Sequence, residues 1–229
     1  MIIKDNFLSE IFNKNCGQVK LQDIKDKKEL DEFTFVYSKS NYSQEFSIKA
    51  KNLNFYLAEI SVNFVLKRDK LNLNKYNGEL AKSANTEDIE NLAFNSFVFD
   101  RFHQDPNIPN LIASEIKKQW VKNFFLGQRG DECFVKKAKN GKIIGFLLSN
   151  FSDQFPKIDL IAVDKNYRNQ GLGKSLILDF LNFYRNQNKN FLVSTQIDNF
   201  KSIRLYESLG FEKLSLQMVW HYIKKDAFY

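Results

Sequence analysis

An apolar run, Ile158–Val163, opens directly into the turn Asp164-Lys165-Asn166-Tyr167-Arg168-Asn169-Gln170-Gly171-Leu172-Gly173-Lys174, and then into an amphipathic run, Ser175–Tyr184. This pattern predicts a strand, a tight basic turn and a helix, and it restricts the fold more than any other stretch. Gly171 and Gly173 lack a Cβ, so backbone N–H groups there can approach a bulky anion closely. The start of the helix adds a partial positive charge at the same place, and Arg168 and Lys174 flank the turn with full charges. The chemistry this suits is holding a pyrophosphate. A turn that needs its glycines only for close packing is the competing reading.

A dinucleotide-binding turn is excluded by its own requirements. G-x-G-x-x-G needs a third glycine where Leu176 stands, and an acidic residue is expected about 20 residues on. That region reads Phe191-Leu192-Val193-Ser194-Thr195 instead. Further along comes Asn199-Phe200-Lys201-Ser202-Ile203-Arg204-Leu205-Tyr206-Glu207-Ser208-Leu209-Gly210-Phe211. The order R-x-x-G-x-G, helix, strand and then this segment resembles the GCN5-related N-acetyltransferases. The resemblance implies that Arg168, Asn169, Gln170, Gly171, Leu172, Gly173 and Lys174 bind the pyrophosphate of acetyl-CoA. It further implies that Asn199 contacts the cofactor and that Tyr206 is the general acid. The implied fold is α/β (α+β): a mixed, mostly antiparallel sheet flanked by helices. The cofactor cleft would then lie in a splay between the strands at Pro156–Val163 and Asn190–Thr195.

Composition agrees with a folded enzyme. Hydrophobic residues make up 43%, with 23 Phe, while only 3 Pro and 9 Gly argue against disorder or repeats. The net charge of +7 is spread along the chain, as on a solvated surface, and also suits attraction of polyanionic small molecules. No basic run alternates with aromatics on a recognisable motif, so nucleic acid is not an expected partner. Cys16 and Cys133 have neither CxxC spacing nor a nearby His cluster, and are expected to be free thiols. With two His in the chain, a zinc site is not expected. Met1–Asn6 lacks the apolar core of a signal peptide, and no run approaches 18 apolar residues, so a cytoplasmic protein without a membrane span is predicted.

Two regions are expected, 1–75 and 76–229, the first a small α/β region on the acceptor side. It contains a helix candidate near Asp26–Phe35 and an alternating strand candidate, Leu57–Leu66. Lys67–Gly78 reads as a linker. Beyond it, Glu79–Lys82 reads as a strand, and Thr86-Glu87-Asp88-Ile89 as an N-cap with acids in the first turn. A helix follows at about Asn110–Leu126. Strands are expected at Glu132–Lys137, Lys142–Ser149 and Pro156–Val163, with Gly141 marking a hairpin. The order closes with helix Gly171–Asn186, strand Asn190–Thr195, helix Asn199–Ser208, and two strands at Phe211–Ser215 and Leu216–Ile223.

Before the long helix stands Phe99-Asp100-Arg101-Phe102-His103-Gln104-Asp105-Pro106-Asn107-Ile108-Pro109. Pro106 and Pro109 keep it non-helical, so it is either a surface connector with a buried Phe102 or an acceptor-binding loop. In the second reading Arg101, Phe102 and His103 meet the substrate. Arg101 would fork onto a phosphate or carboxylate and His103 would accept a proton. Arg101–Pro106, Lys118-Gln119-Trp120-Val121-Lys122-Asn123 and Val193–Tyr206 resemble segments of the bacterial TDP-fucosamine acetyltransferases. Leu8-Ser9-Glu10-Ile11-Phe12 and Phe55–Leu66 resemble that group more loosely.

This narrower resemblance implies acetyl transfer from acetyl-CoA to a 4-amino-4,6-dideoxyhexose on a nucleotide, in surface-polysaccharide synthesis, with a homodimer possible. The backbone of Leu160, Ile161, Ala162 and Val163 would pair with pantetheine and leave one N–H for the oxyanion. Tyr206, about two helical turns from Asn199, would protonate the sulfur. His103 is the leading base, with Glu115 and Asp159 as alternatives, and Trp120 either packs or offers a stacking platform. The same chemistry on a protein N-terminus, polyamine or antibiotic stays open, as does a non-catalytic CoA-binding module.

Overall fold

The structure is a computed structural model that describes residues 1–41, 43–70, 77–81, 85–152, 155–225 and 227–228. Its strands are β1 (Ile3–Lys4), β2 (Cys16–Gln18), β3 (Phe35–Ser40), β4 (Tyr56–Leu66), β5 (Glu79–Leu80), β6 (Cys133–Lys137), β7 (Ile143–Ser152), β8 (Phe155–Val163), β9 (Phe191–Gln196) and β10 (Glu212–Ile223). Its helices are α1 (Asn6–Phe12), α2 (Gln44–Asn52), α3 (Thr86–Ser96), α4 (Asn110–Phe125), α5 (Leu172–Phe183) and α6 (Phe200–Ser208). The strands form one sheet in the order β1-β2-β3-β10-β4-β9-β8-β7-β6-β5. Among the described residues only β2–β3 and β8–β9 pair in parallel.

Alternation along the strands sorts side chains to two faces. Val62, Phe64, Phe191 and Val193 meet α5 and α6 on one face, packed around Ile177 and Phe180. Phe146, Leu148, Leu160 and Ala162 meet α3 and α4 on the other. Fully buried rings such as Phe64, Phe180 and Phe191 contribute roughly 1.5–3 kcal/mol each. Strand β4 pairs with β9 on one side and β10 on the other. The division expected near residue 75 therefore runs through one hydrogen-bonded sheet.

A bulge in β8 sets up the site. Leu148 pairs with Leu160 while its neighbour Ser149 pairs with Ile158, which leaves Asp159 as an extra residue. The consequence is visible in the core. Ile158 packs on the α5 face, whereas Leu160, two residues on, packs on the α4 face. Asp159 consequently shares the α4 face with Leu160. Pairing between β8 and β9 ends at the same point, with Lys157↔Leu192 and Ile158↔Val193. Beyond it the strands diverge, in the splay that the family resemblance implies.

Several expectations need correction. Asp26 and Glu29 form a capping box, but on a single 3-10 turn, Lys27–Leu30, rather than on a helix reaching Phe35. The aromatic run at Phe35–Tyr37 is buried as a strand against β10, which stops the helix. Helices α1 and α2 and strands β1 to β3 were not evident in the sequence. The two final strands are one, β10, with register shifts near Ser215 and Val219 in its pairing to β4. Thr86 is the first helical residue of α3 and Asn85 its cap position, with Glu87 and Asp88 in the first turn as expected. The hairpin at Gly141 forms, with that residue at φ 84° and Ala138 N–H bonded to Lys142 O at 2.8 Å. Of the linker expected at Lys67–Gly78, Arg68–Lys70 forms a 3-10 turn and residues 71–76 lie outside the described residues, as does Lys82.

Candidate active site

The splay opens a cavity of about 510 Å³ between β8 and β9. One end is the turn after β8. Asn169 and Gly171 both adopt left-handed backbone, φ 62° and 78°, and Gly171 is the N-cap residue of α5. The two glycines differ in what they require. A Cβ on Gly171 would meet nothing within 4 Å, so conformation is what requires glycine there, and the space in front of it is open. A Cβ on Gly173 would meet only Leu205 Cδ2, at 3.4 Å, which is near ordinary contact. No acidic residue lies in the first turn of α5, which leaves its positive end uncompensated.

Arg168, Asn169, Gly171, Leu172, Gly173 and Lys174 line this end, whereas Gln170 does not. Arg168 also has a tethering part. Its Nε donates to Val163 O at 3.0 Å and its Nη2 to Ser96 O at 3.1 Å, which ties the turn to the end of α3. The middle of the cavity runs along the open edge of β8, lined by Leu160, Ile161, Ala162 and Val163.

Asn199 and Tyr206 line the opposite wall. Asn199 caps α6, accepting from Ser202 N–H at 3.3 Å and donating to Thr195 Oγ1 at 3.2 Å. Tyr206 is 3% exposed, its ring held at 5.8 Å from those of Phe64 and Phe211. Burial pushes its hydroxyl above the usual tyrosine range, so it stays protonated and able to donate.

The acceptor loop departs from expectation. Phe97, Val98, Phe99 and Asp100 line the cavity, but Arg101, Phe102 and His103 do not. Phe102 is core, 2% exposed, against Phe12 and Phe35. The His103 side chain is 7% exposed, with Nδ1 at 2.6 Å from Asp100 Oδ2 and Nε2 at 3.3 Å from Ser114 Oγ. Both its nitrogens are thus committed to protein. Burial alone would raise the Asp100 carboxyl, but Lys117 at 3.5 Å and His103 outweigh it and hold Asp100 well below the usual carboxylate range. Lys117, which the sequence did not single out, is itself buried and lines the cavity beside Trp120.

Arg101 belongs to a second buried network. Its guanidinium stacks on Tyr37 at 4.1 Å and Phe102 at 4.3 Å, and Nη1 meets His221 Nε2 at 3.2 Å. His221 Nδ1 lies 2.7 Å from Asp105 Oδ2, which also accepts from the Tyr56 hydroxyl at 2.7 Å. A carboxylate can only accept and a guanidinium only donate, so this arrangement requires neutral His221 with its proton on Nδ1. Burial lowers His221 to about 4, despite the opposing pull of Asp105. The segment that looked like a substrate loop is therefore anchored through β10, by a histidine 116 residues from Asp105 in sequence.

Of the three base candidates only Asp159 lines the cavity. It accepts from Trp120 Nε1 at 2.8 Å and pairs with Arg129 at 3.3 Å, while Arg129 stacks on Trp120 at 3.4 Å. Trp120 thus both packs and reaches the cavity. Glu115 accepts from Gln119 Nε2 at 2.7 Å and stands away from the cavity lining. Cys16 and Cys133 are buried free thiols. Among the described residues no helix is long and apolar enough to cross a membrane, and no group of His, Cys, Asp or Glu is arranged to hold a metal ion.

Comparison with known proteins meets this geometry. The signature of the acetyltransferase (GNAT) family matches residues 92–211. The spore coat polysaccharide biosynthesis protein SpsD of Bacillus subtilis is 32% identical over 127 residues, covering 55% of this chain and 43% of SpsD. The ribosomal protein bS18-alanine N-acetyltransferase of Escherichia coli K12 is 27% identical over 100 residues, 43% of this chain and 68% of that enzyme. This chain thus spans less than half the length of SpsD. A structure of a functionally unknown conserved protein from Staphylococcus epidermidis superposes with TM-score 0.64 at 15% identity, over 92% of this chain and 85% of that one. The tandem GNAT protein of the clavulanic acid pathway gives 0.58 at 13%, over 85% and 66%. Identities that low speak for the fold alone. The family match spans just over half of the chain and takes in the splay, the turn before α5 and α6 together, and the chain belongs to the acetyltransferase (GNAT) family.

Proposed function

We propose that this protein is a cytoplasmic N-acetyltransferase that moves an acetyl group from acetyl-CoA to the amine of a nucleotide-linked amino sugar, of the 4-amino-4,6-dideoxyhexose type, in surface-polysaccharide synthesis. The observation that carries the transferase is one continuous cavity, running from the positive end of α5 along the open edge of β8 to Tyr206. The residues fit acetyl-CoA, the family's co-substrate. The space before Gly171 is open to a phosphate and no acid opposes it. The sugar acceptor is supported by the match to SpsD, a protein named for polysaccharide biosynthesis. A homodimer belongs to the proposal on the strength of the resemblance alone.

Acetyl-CoA supplies a thioester, whose acetyl group passes to the amine as CoA leaves. In this reading the N–H groups at the start of α5, with the charges of Arg168 and Lys174, hold the pyrophosphate. Asn199 meets the pantetheine arm beside the cap it forms. The backbone edge of Leu160–Val163 orients that arm and presents an N–H to the oxyanion. Tyr206 donates its proton to the departing sulfur. The base passes from His103 to Asp159, which takes the amine proton directly or through water. Trp120 and Arg129 fix the position of its carboxylate. The first region, 1–75, we assign to the acceptor side.

A second acceptor class is favoured by the match to the ribosomal-protein acetyltransferase, whose name specifies a protein alanine. Thiol release from acetyl-CoA, measured against 4-amino-4,6-dideoxy sugars on TDP or UDP, polyamines and short peptides, separates the two. Turnover confined to the nucleotide sugars is expected. Turnover confined to peptides or polyamines would remove the sugar, and silence across the panel despite tight acetyl-CoA binding would favour a non-catalytic CoA-binding module.

A further inference from the structure

Lys117 is a buried cation that the transfer described above leaves without a part. It is 7% exposed and lines the cavity from α4. Three residues on, on the same face of that helix, stands Trp120, whose Nε1 holds the Asp159 carboxylate at 2.8 Å. Lys117 therefore borders the acceptor end of the cavity, next to the group assigned to take the amine proton.

Its ammonium is poorly satisfied. Among the described residues its one polar contact is Asp100 Oδ1, at 3.5 Å. The rings of Phe97, Trp120 and Phe102 stand around it at 5.3, 5.5 and 6.0 Å. Aromatic faces attract a cation but do not replace its hydrogen bonds. An ammonium has three N–H donors, so donors are left for a guest. Asp100 does not need Lys117 in return. Its Oδ2 meets His103 Nδ1 at 2.6 Å, and its Oδ1 accepts from Phe102 N–H at 3.1 Å. A purely structural tie between loop and helix would close that long contact, since a buried charge costs free energy until its hydrogen bonds are made.

The chemistry of the pair selects the guest. Asp100 and Asp159, the carboxylates that line the cavity, already have cations in Lys117 and Arg129, so a further full charge would go unpaired. A hydroxyl suits the pair, because its oxygen accepts from Lys117 while its proton goes to Asp100 Oδ1. An ammonium has no lone pair with which to accept. Val98 and Phe99, 53% and 38% exposed, line the cavity from the same loop and offer an apolar wall. We propose that Lys117, together with Asp100, recognises the acceptor by binding the hydroxyl on the carbon next to its amine. The inference rests on the amino-sugar reading above and deepens it. In a 4-amino-4,6-dideoxyhexose this is the 3-hydroxyl, since the other neighbour of the amine-bearing carbon carries the methyl, which suits the apolar wall.

The test uses the whole protein and steady-state kinetics with 4-amino-4,6-dideoxyglucose and its 3-deoxy counterpart, each carried on TDP and on UDP. Wild type is expected to favour the hydroxylated sugar in kcat/KM by about 10- to 100-fold, as for a hydrogen bond to a charged group. Lys117→Met should shrink that preference to about threefold or less, because only the sugar with the hydroxyl loses a contact. A merely structural lysine would lower both sugars alike and keep the ratio. CoA binding in calorimetry reports that each variant is folded. The double variant Asp100→Asn with Lys117→Met removes both charges of the pair. It should lose the preference too, and it decides the matter where Lys117→Met is unstable. If wild type handles both sugars equally, or a folded variant keeps the preference, the hydroxyl site is wrong and the transferase reading stands. If wild type acetylates neither sugar, the amino-sugar reading falls and takes the hydroxyl site with it.

Discussion

Replacing His221 with Leu tests whether the segment around Arg101 is architecture rather than catalysis. The imidazole is fully buried, close to the Phe35 ring at 4.8 Å, and joins Asp105 to Arg101 through contacts of 2.7 and 3.2 Å. Leucine fills a similar volume but satisfies neither partner. Hydrogen bonds to charged groups are worth about 1.5–3 kcal/mol each. Asp105 keeps its bonds from Tyr56 and from Asn107 N–H at 2.9 Å, which softens one of the two losses. The expected cost is about 3–5 kcal/mol, a large share of a typical domain's stability.

Urea unfolding at pH 7.5 would read this as a lower midpoint with an unchanged slope. The wild-type protein carries a second signature. His221 is lowered from 6.5 to about 4 on folding, so below 6.5 the unfolded chain binds a proton that the folded one refuses. The stabilisation is complete above 6.5 and is lost as pH falls toward 4, at no more than about 1.4 kcal/mol per pH unit. His221→Leu should flatten that limb. A stability loss below about 1 kcal/mol, or a pH profile the same as wild type, would refute the neutral-histidine network.

Tyr206→Phe should lower kcat by about 10²–10⁴ while leaving acetyl-CoA binding near normal, and equal loss of binding would remove it as the acid. Asp159→Asn should lower kcat at least tenfold, whereas His103→Asn should change kcat far less and act mainly on thermal stability; the reverse ranking in steady-state kinetics would return the base to His103. Gly171→Ala forces a Cβ onto a residue at φ 78° and should cost about 1–2 kcal/mol in unfolding free energy, with weaker acetyl-CoA binding in calorimetry.

The turn at Arg168–Lys174 and the Asn199–Tyr206 helix were legible in the sequence because each is local, whereas the splay came only with the family resemblance. A glycine that must turn left-handed, a cap two helical turns before a buried tyrosine, and alternating strands all leave their pattern within a dozen or so residues. Arg101, Phe102 and His103 misled for the opposite reason. Their residue types suit both a substrate loop and a buried network, and the choice depends on His221 and Asp100, one of them at the far end of the chain. The bulge at Asp159 is likewise hidden, since an extra residue in β8 exists only relative to its pairing with β7.

The N-terminal region shows the same limit. The alternation in Leu57–Leu66 predicted a strand, but nothing in it specified insertion between β9 and β10. That placement brings Glu59 beside Gln196. Local backbone preference and side-chain period determined most of the elements from α3 onward. Long-range pairing and burial decided which charges meet, because a charge's fate depends on neighbours that only the folded chain brings within reach.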